Sequence, residues 1–417
     1  MNNLRVVRTT ISIIALTFLA ACASKPYSPV DVSTSSFLQR TITQEQGNIR
    51  VTAAVPSAAE AKALTGVDVY QQGIQPVWLK VENNGDQRVR VTPWSIDRNY
   101  FSPIEVAYMN RKKFSSQGYD DMQRWFYENR LERRVPPGES RSGLVYTHLM
   151  PGTKGFNLDL FTASGSLNFT FFVPMAGFTA DYKRVDFDNL YADTGVRELA
   201  VGELQSVLEG ELPCCSTDAS GEKNGGPFNV VLVGSDVAVR RSLLRANWNE
   251  TAANDPSTAD ARLHHYRGRP PDTVFVQRRE DSDERLELRL WLAPWRGDDK
   301  RVWVGQARFS NSKTRLFDMD SNFFARFARE NVGADVDSAV NYVLQRFWYN
   351  QSLIKMGIVQ GAGASTPEKP HRSFTGAEYF TAGYLTVMLL SEEPVAMDET
   401  EFIYSQEQKE PGDGSEQ

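Results

Sequence analysis

Cysteine offers the most distinctive chemistry in this chain, and all three cysteines stand in informative positions. Cys22 follows Leu19, Ala20 and Ala21 at the end of an apolar stretch that begins at Ile11. Its thiol is a nucleophile, and the small side chains before it leave room for an enzyme to close around the bond. Cys214 and Cys215 are adjacent. Neighbouring cysteines cannot close a long loop. They can form a vicinal disulfide, pair with other chains, or bind a soft metal with ligands from elsewhere. Two thiolates without a nearby His or third Cys make a poor zinc set, so a vicinal disulfide in a tight turn is the preferred reading. No metal and no cofactor is expected.

Histidine-based mechanisms are limited by the four histidines, His148, His264, His265 and His371. His264 or His265 with Asp335 and Asp337 is a conceivable metal set, but adjacent histidines lack the i, i+4 spacing of a helical zinc site. The plainer expectation is that Asp335 and Asp337 flank a helix N-terminus, where carboxylates meet unpaired N–H groups. Serine elbows, Walker loops and dinucleotide fingerprints are absent as motifs. Asp186 with Asp188, and Asp318 with Asp320, lack the Gly and terminal Glu of a calcium loop. No catalytic residue is assigned. The candidate binding residues are Arg267, Arg269, Trp291 and Trp303, since Trp and Arg are enriched where surfaces bind partners. Both tryptophans fall out of phase with the leucines or valines of their own strands, which places both on the far side of one hairpin. There they are either core under a helix or a groove for a peptide, glycan or anionic head group.

The elements that carry these residues begin with a secretory signal. Arg5 and Arg8 precede the apolar stretch, which is too short for a spanning helix. The run from Leu19 to Cys22 then resembles the lipobox of bacterial lipoproteins. That resemblance implies cleavage before Cys22, a thioether-linked diacylglycerol on its sulfur, and a membrane partner held through that lipid. Burial at about 0.8 kcal/mol per methylene makes two or three acyl chains a near-permanent anchor. In Gram-negative lipoproteins Asp after the Cys retains the protein in the inner membrane; Ala23 here implies the outer membrane, periplasm-facing.

Net charge is −6, and residues 392–417 carry nine acids against Lys409 alone, leaving the rest nearly balanced. With no basic excess to replace phosphate counterions, nucleic acid is not an expected partner. Arginines crowd positions 240–315 with acids between them, a pattern expected of a solvated mixed-charge surface.

Six segments follow from composition and periodicity. Residues 1–21 are signal, and 22–47 read as a lipidated, flexible Ser/Thr/Pro tether. Residues 48–175 hold several short strands: 49–55, a hairpin of 77–81 with 88–91 turning at Asn84-Gly85, then 143–148, 155–161 and 167–173. These predict an immunoglobulin-like β-sandwich, with a helix near 120–134 inserted. Residues 176–227 form a connector with a helix near 193–211, and the domain boundary is placed in 216–227. Residues 228–404 predict a mixed α+β domain. It has a buried strand from Phe228, a helix capped by Ser235, a hairpin of 286–292 with Val302 and Val304, a helix near 335–347 and late strands near 353–359 and 384–390. Helices on one face of a mainly antiparallel sheet satisfy that order. Residues 405–417 are an acidic tail.

The runs Asn229 to Gly234, Tyr266 to Asp272, Leu286 to Leu292, Val302 to Gly305, Ala334 to Asp337, Gly357 to Gly361, Gly376 to Phe380 and Pro394 to Phe402, in that order, resemble the LssY-like C-terminal domain. The resemblance covers about 180 residues and implies no reaction. The whole is an α+β protein: an immunoglobulin-like sandwich, then the LssY-like domain. The expected role is a lipid-anchored, non-enzymatic binding or scaffold module for another envelope protein or glycan. The alternative is an envelope hydrolase acting on a lipid or glycan through acidic and His residues of the C-terminal domain.

Overall fold

A computed structural model describes residues 26–97, 99–192, 195–278, 284–311 and 333–403. Cys22, Asp318 with Asp320, and the acidic tail 405–417 lie outside them. The chain is α+β and forms two compact units. The first runs to Met150 and resumes over Phe156–Ala176; the second holds Pro151–Gly155 and everything from Gly177.

Among the described residues, eight strands build the first unit: β1 (Ile42–Gln46), β2 (Ile49–Ala54), β3 (Ile74–Asn83), β4 (Val89–Val91), β5 (Arg134–Val135), β6 (Ser140–His148), β7 (Thr153–Thr162) and β8 (Gly165–Pro174). They form two four-stranded sheets, β1-β2-β3-β6 and β5-β4-β7-β8. One cluster draws on both sheets, with Val51, Val77, Leu79 and Val81 from the first and Val89, Leu158, Leu160 and Phe171 from the second. Successive side chains on a strand point to opposite faces. Ile74 and Trp78 of β3 therefore enter a separate cluster under helices α1 (Ala58–Thr65), α3 (Pro103–Met109) and α4 (Ser116–Glu128), which supply Leu64, Val106, Met122 and Phe126 to it, whereas α2 (Pro93–Ile96) gives Ile96 to the core between the sheets. With both faces covered, β3 is buried without alternation from Ile74 to Leu79.

The Asn84-Gly85 turn does not make the expected hairpin. β3 pairs with β2 and β6, whereas β4 pairs with β5 and β7, so the turn carries the chain from one sheet to the other. A type I′ hairpin needs φ > 0 at both central residues, and neither Asn84 nor Gly85 has it. Asn83 holds the crossing instead: its buried amide donates to the carbonyls of Gln87 and Val135 and accepts from the Gly85 N–H.

The flexible tether is also corrected, because residues 26–47 are built into the first unit. Phe37 is fully buried, Tyr27 donates to the Thr65 carbonyl at 2.9 Å, and Arg40 pairs with Glu60 at 2.6 Å. Ser/Thr/Pro content concealed the two aromatic residues that dock this stretch.

In the second unit the strands continue as β9 (Arg197–Leu199), β10 (Cys215–Thr217), β11 (Asn224–Pro227), β12 (Val230–Val233), β13 (Asn249–Glu250), β14 (Thr273–Arg278), β15 (Glu284–Gly297), β16 (Lys300–Asn311), β17 (Leu353–Gln360), β18 (His371–Arg372), β19 (Glu378–Tyr379), β20 (Tyr384–Leu390) and β21 (Glu401–Ile403). The main sheet runs β13-β14-β15-β16-β12-β20-β17-β21, with β9 alongside β15. β15 and β16 are joined through Asp298 and Asp299, both at positive φ, the two-residue geometry that matches strand twist. Helices α6 (Asp236–Arg245) and α7 (Val336–Tyr349) supply Val239, Leu243, Val340, Val343 and Phe347 to the core on one face. Helix α5 (Val201–Glu211) supplies Leu204, Val207 and Leu208 to the core on the other. Helices thus cover both faces, not one. The expected connector 176–227 belongs to the second unit through α5, and the seam falls at 176/177 rather than in 216–227.

Close backbone approach makes Gly143 a sensitive position, since a Cβ there would stand 2.5 Å from the backbone of Arg130 and Leu131. Gly143→Ala should lower stability by about 1 to 3 kcal/mol. Gly210→Ala, in open space on α5, should be neutral or slightly stabilising. Calorimetric melts of the two variants check the contrast.

Candidate functional site

Mid-sheet residues of β15 and β16 show how the second unit treats its charges. Glu287, Arg289 and Gln306 lie on the sheet face opposite the leucines and are buried. Arg289 pairs with Glu287 at 2.7 Å and donates to Gln306 at 3.2 Å. Gln306 donates to Ser216 Oγ at 3.0 Å, and Ser216 Oγ lies 2.8 Å from His264 Nδ1. Burial raises the Glu287 carboxyl, but Arg289, Arg308 and Arg285 outweigh it and hold the group below its ordinary range. Burial, with Arg289 and Arg308 nearby, holds the His264 imidazole down to about 2, so it is neutral. Phe374 packs on that ring at 4.9 Å. A Cβ on Gly225 would stand 2.6 Å from His264 Nδ1, so only glycine lets β11 cross here. This network fastens the β10–β11 ribbon to the sheet. The mixed-charge surface expected for 240–315 is therefore partly interior, with Arg241, Glu250 and Asp272 also buried.

The expected binding residues do not form one groove. Trp291 is 0% exposed and Trp303 4%. Trp291 pairs with Val304 and Trp303 with Leu292, so the two rings lie on opposite faces of the hairpin. Trp303 joins the leucine core, while Trp291 joins Val302 and Val304. Arg269 is held by Asp272 at 2.6 Å and by Tyr191 Oη at 2.9 Å, and its carbonyl accepts from Trp291 Nε1. Asp272 also accepts from the Leu292 N–H at 2.7 Å; burial, outweighing Arg269, raises its carboxyl to about 6. Arg267 is exposed, at positive φ, with its guanidinium 5.7 Å from the Tyr266 ring centre.

The acids and histidines are likewise dispersed. Asp335 caps α7, accepting from the Ser338 N–H and Oγ. Asp337 accepts from Thr381 Oγ1 and the Ala382 N–H. His264 bonds to Ser216, His265 to the Leu263 carbonyl, His371 to the Gly363 carbonyl, and His148 to Asp97 in the first unit. Among the described residues no group of three His, Cys, Asp or Glu is placed to hold a metal ion. Cys214 and Cys215 are joined as a vicinal disulfide at the start of β10, where the Cys214 carbonyl accepts from the Phe228 N–H.

The open surface lies elsewhere. Tyr342, Leu344, Trp348 and Tyr349 on α7, with Met356 of β17 and Phe402 of β21, line a groove of about 600 Å³. Tyr349 and Phe402 are 54% and 55% exposed. Trp348 stacks on Tyr349 and donates to the Met397 carbonyl at 3.1 Å. Sequence reading placed a helix near 335–347 and assigned it no surface; the signal for one was Tyr342, Trp348 and Tyr349, which fall off the buried side of Val336, Val340, Val343 and Phe347.

Residues 262–385 match the family of the LssY C-terminus. The chain thus carries an LssY-like C-terminal domain, and the matched stretch holds β14 to β17, α7 and most of the groove wall. β12, central in the sheet, and β21, at its edge, lie outside the match. No curated protein matches the chain.

The buried imidazole links stability to pH. In the unfolded chain His264 takes up a proton near pH 6.5; in the fold it resists to about 2. Stability should therefore fall as pH drops below 6.5, by about 1.4 kcal/mol per unit. Asp272, raised to about 6, opposes this below that pH, so the two are separated by substitution. From pH 6.5 to 5 the wild type should lose about 2 kcal/mol relative to His264→Gln in denaturant unfolding. A pH-independent difference would show that the imidazole is not held neutral.

Proposed function

We propose that this chain is a bacterial lipoprotein, anchored through a thioether lipid on Cys22 in the outer membrane and facing the periplasm. Its LssY-like domain serves as a binding module for another envelope component. The single observation that carries the binding reading is the exposed aromatic groove between α7 and β21. An extended envelope-protein segment with apolar side chains suits it: β21 is the last strand of the sheet, and its Phe402 lines the groove. A segment added at a sheet edge gains main-chain hydrogen bonds, and pockets for alternate side chains select its sequence. The first unit is read as an immunoglobulin-like sandwich, supported by two four-stranded sheets that share one core. The lipid anchor rests on the sequence from Arg5 to Cys22.

The hydrolase alternative has one local observation in its favour, the Ser216–His264 hydrogen bond. Both residues are buried and the imidazole is held neutral, as suits a packing element better than an accessible general base.

Two measurements test these readings. Cys22→Ser should abolish acyl labelling and leave an unprocessed precursor; normal maturation of that variant would rule out the lipoprotein. Tyr349→Ala and Phe402→Ala should each weaken capture of an apolar extended peptide by about 1 to 3 kcal/mol with melting almost unchanged. Peptide affinity that ignores both substitutions would remove the groove as the binding surface.

A further inference from the structure

The anchor reading and the packing of Tyr27 together constrain which surface meets the bilayer. Cys22 is five residues before Tyr27, so the lipid-bearing sulfur is tied within about 18 Å of that residue's backbone. Tyr27 is fixed: its hydroxyl donates to the Thr65 carbonyl, and its ring meets Phe114 edge-on at 5.5 Å. Phe114 directly follows a short basic run. Arg111, Lys112 and Lys113 form one 3-10 turn after α3, and Tyr108 and Met109 precede it, 54% and 43% exposed.

Lys112 and Lys113 are exposed and Arg111 is half-buried. The Arg111 guanidinium lies 3.8 Å over the Tyr108 ring and donates to the Tyr108 carbonyl. Lys113 Nζ donates to Asn110 Oδ1 at 2.8 Å. Asp68 is an acid within electrostatic reach of Lys113, and Lys62 already pairs with it at 3.1 Å. Among the described residues none of the three cations has a carboxylate ion-pair partner. Three cations without a carboxylate ion pair among the described residues, beside an exposed aromatic ring and a methionine, match an anionic membrane surface, where the rings sit at head-group level and the cations meet phosphates.

We propose that Tyr108, Met109, Arg111, Lys112 and Lys113 form a docking face for the anionic phospholipid surface in which Cys22 is anchored. The proposal rests on the lipoprotein reading for its geometry but not for its test. The lipid then supplies attachment, and the basic face sets which side of the first unit rests on the membrane. A tie of at most about 18 Å lets that face approach the bilayer to within the range over which surface charge is felt, about 10 Å.

The test uses the mature chain from Ala23, made without lipid, sedimented with vesicles. It retains every described residue and does not involve the anchor, which acyl labelling of Cys22 reads separately. Each cation near an anionic surface adds about fivefold to partitioning, so vesicles of about one-third phosphatidylglycerol should bind about 100-fold better than phosphatidylcholine vesicles. About 0.5 M salt should remove most of the difference. The triple variant Arg111→Gln, Lys112→Gln, Lys113→Gln should lose the preference while keeping its melting temperature. Equal binding to both vesicles, or a preference that the triple variant retains, overturns the proposal. Arg197→Gln, Lys300→Gln and Lys369→Gln together, all in the second unit, should leave it intact; loss of preference in that control would mean non-specific charge and also overturn it.

Discussion

Burial of Glu287 and Arg289 on one strand is the constraint around which the second unit is organised. Two charges leave water together, and their mutual attraction offsets that cost only where the remaining donors and acceptors find partners. Gln306 takes one Arg289 donor, which aims its own amide at Ser216. Ser216 is fixed in turn by the His264 ring, which Phe374 covers. A sheet face left polar at its middle thus requires a ribbon and a loop to close over it. The ribbon begins at the Cys214–Cys215 disulfide and needs Gly225 where it crosses His264. The chain's most reactive-looking side chains are consumed in this closure.

Elements with a strict period were legible in the sequence. Leu286, Leu288, Leu290 and Leu292 alternate and share one core; Ser235 caps α6, and Asp335 caps α7. Met122 and Phe126 mark the buried side of α4. What alternation does not carry is cross-strand register. The valines of β16 read as continuing the leucine face of β15, yet pairing Leu290 with Gly305 puts Val304 opposite Trp291 and on the other face. That single offset is why Trp291 and Trp303 were assigned to one surface. Register depends on where the turn at Asp298 and Asp299 falls and on the irregularity between Leu292 and Arg296, neither of which a one-strand pattern encodes.

Composition misled where a few residues outweigh many. Asn84-Gly85 has the chemistry of a hairpin turn, but the buried Asn83 amide binds carbonyls beyond the turn and redirects the chain to the second sheet. Residues 26–47 are polar on average and still fold, with Phe37 buried in the core and Tyr27, Val32 and Leu38 packed half-buried against it. The charged stretch from 240 onward looked solvated because sequence shows that charges alternate, not whether a strand carries them inward. In the site, the groove aromatics were missed because helix periodicity was used to find one buried face, and α7 presents apolar side chains on two.

The two ends of the nine-stranded sheet are handled differently, and the difference bears on function. Edge strands invite unwanted pairing, and proteins blunt them by shortness, charge or bulges. β13 has two residues, one of them Glu250 bound to Arg240. β21 has three, and Glu401 is tied to Lys355, but Phe402 and Ile403 beside it are exposed. Shortness alone would protect this edge; exposed apolar side chains work against that protection. Phe402 adjoins the exposed Trp348 and Tyr349 and the half-buried Met356 along the groove, whereas Ile403, next on the strand, falls on the other face over Gly357. The exposed rings of Tyr349 and Phe402 are therefore gathered along one groove at this edge, which is the feature that the proposed binding role draws on, since large exposed apolar patches are rare on chains that work alone.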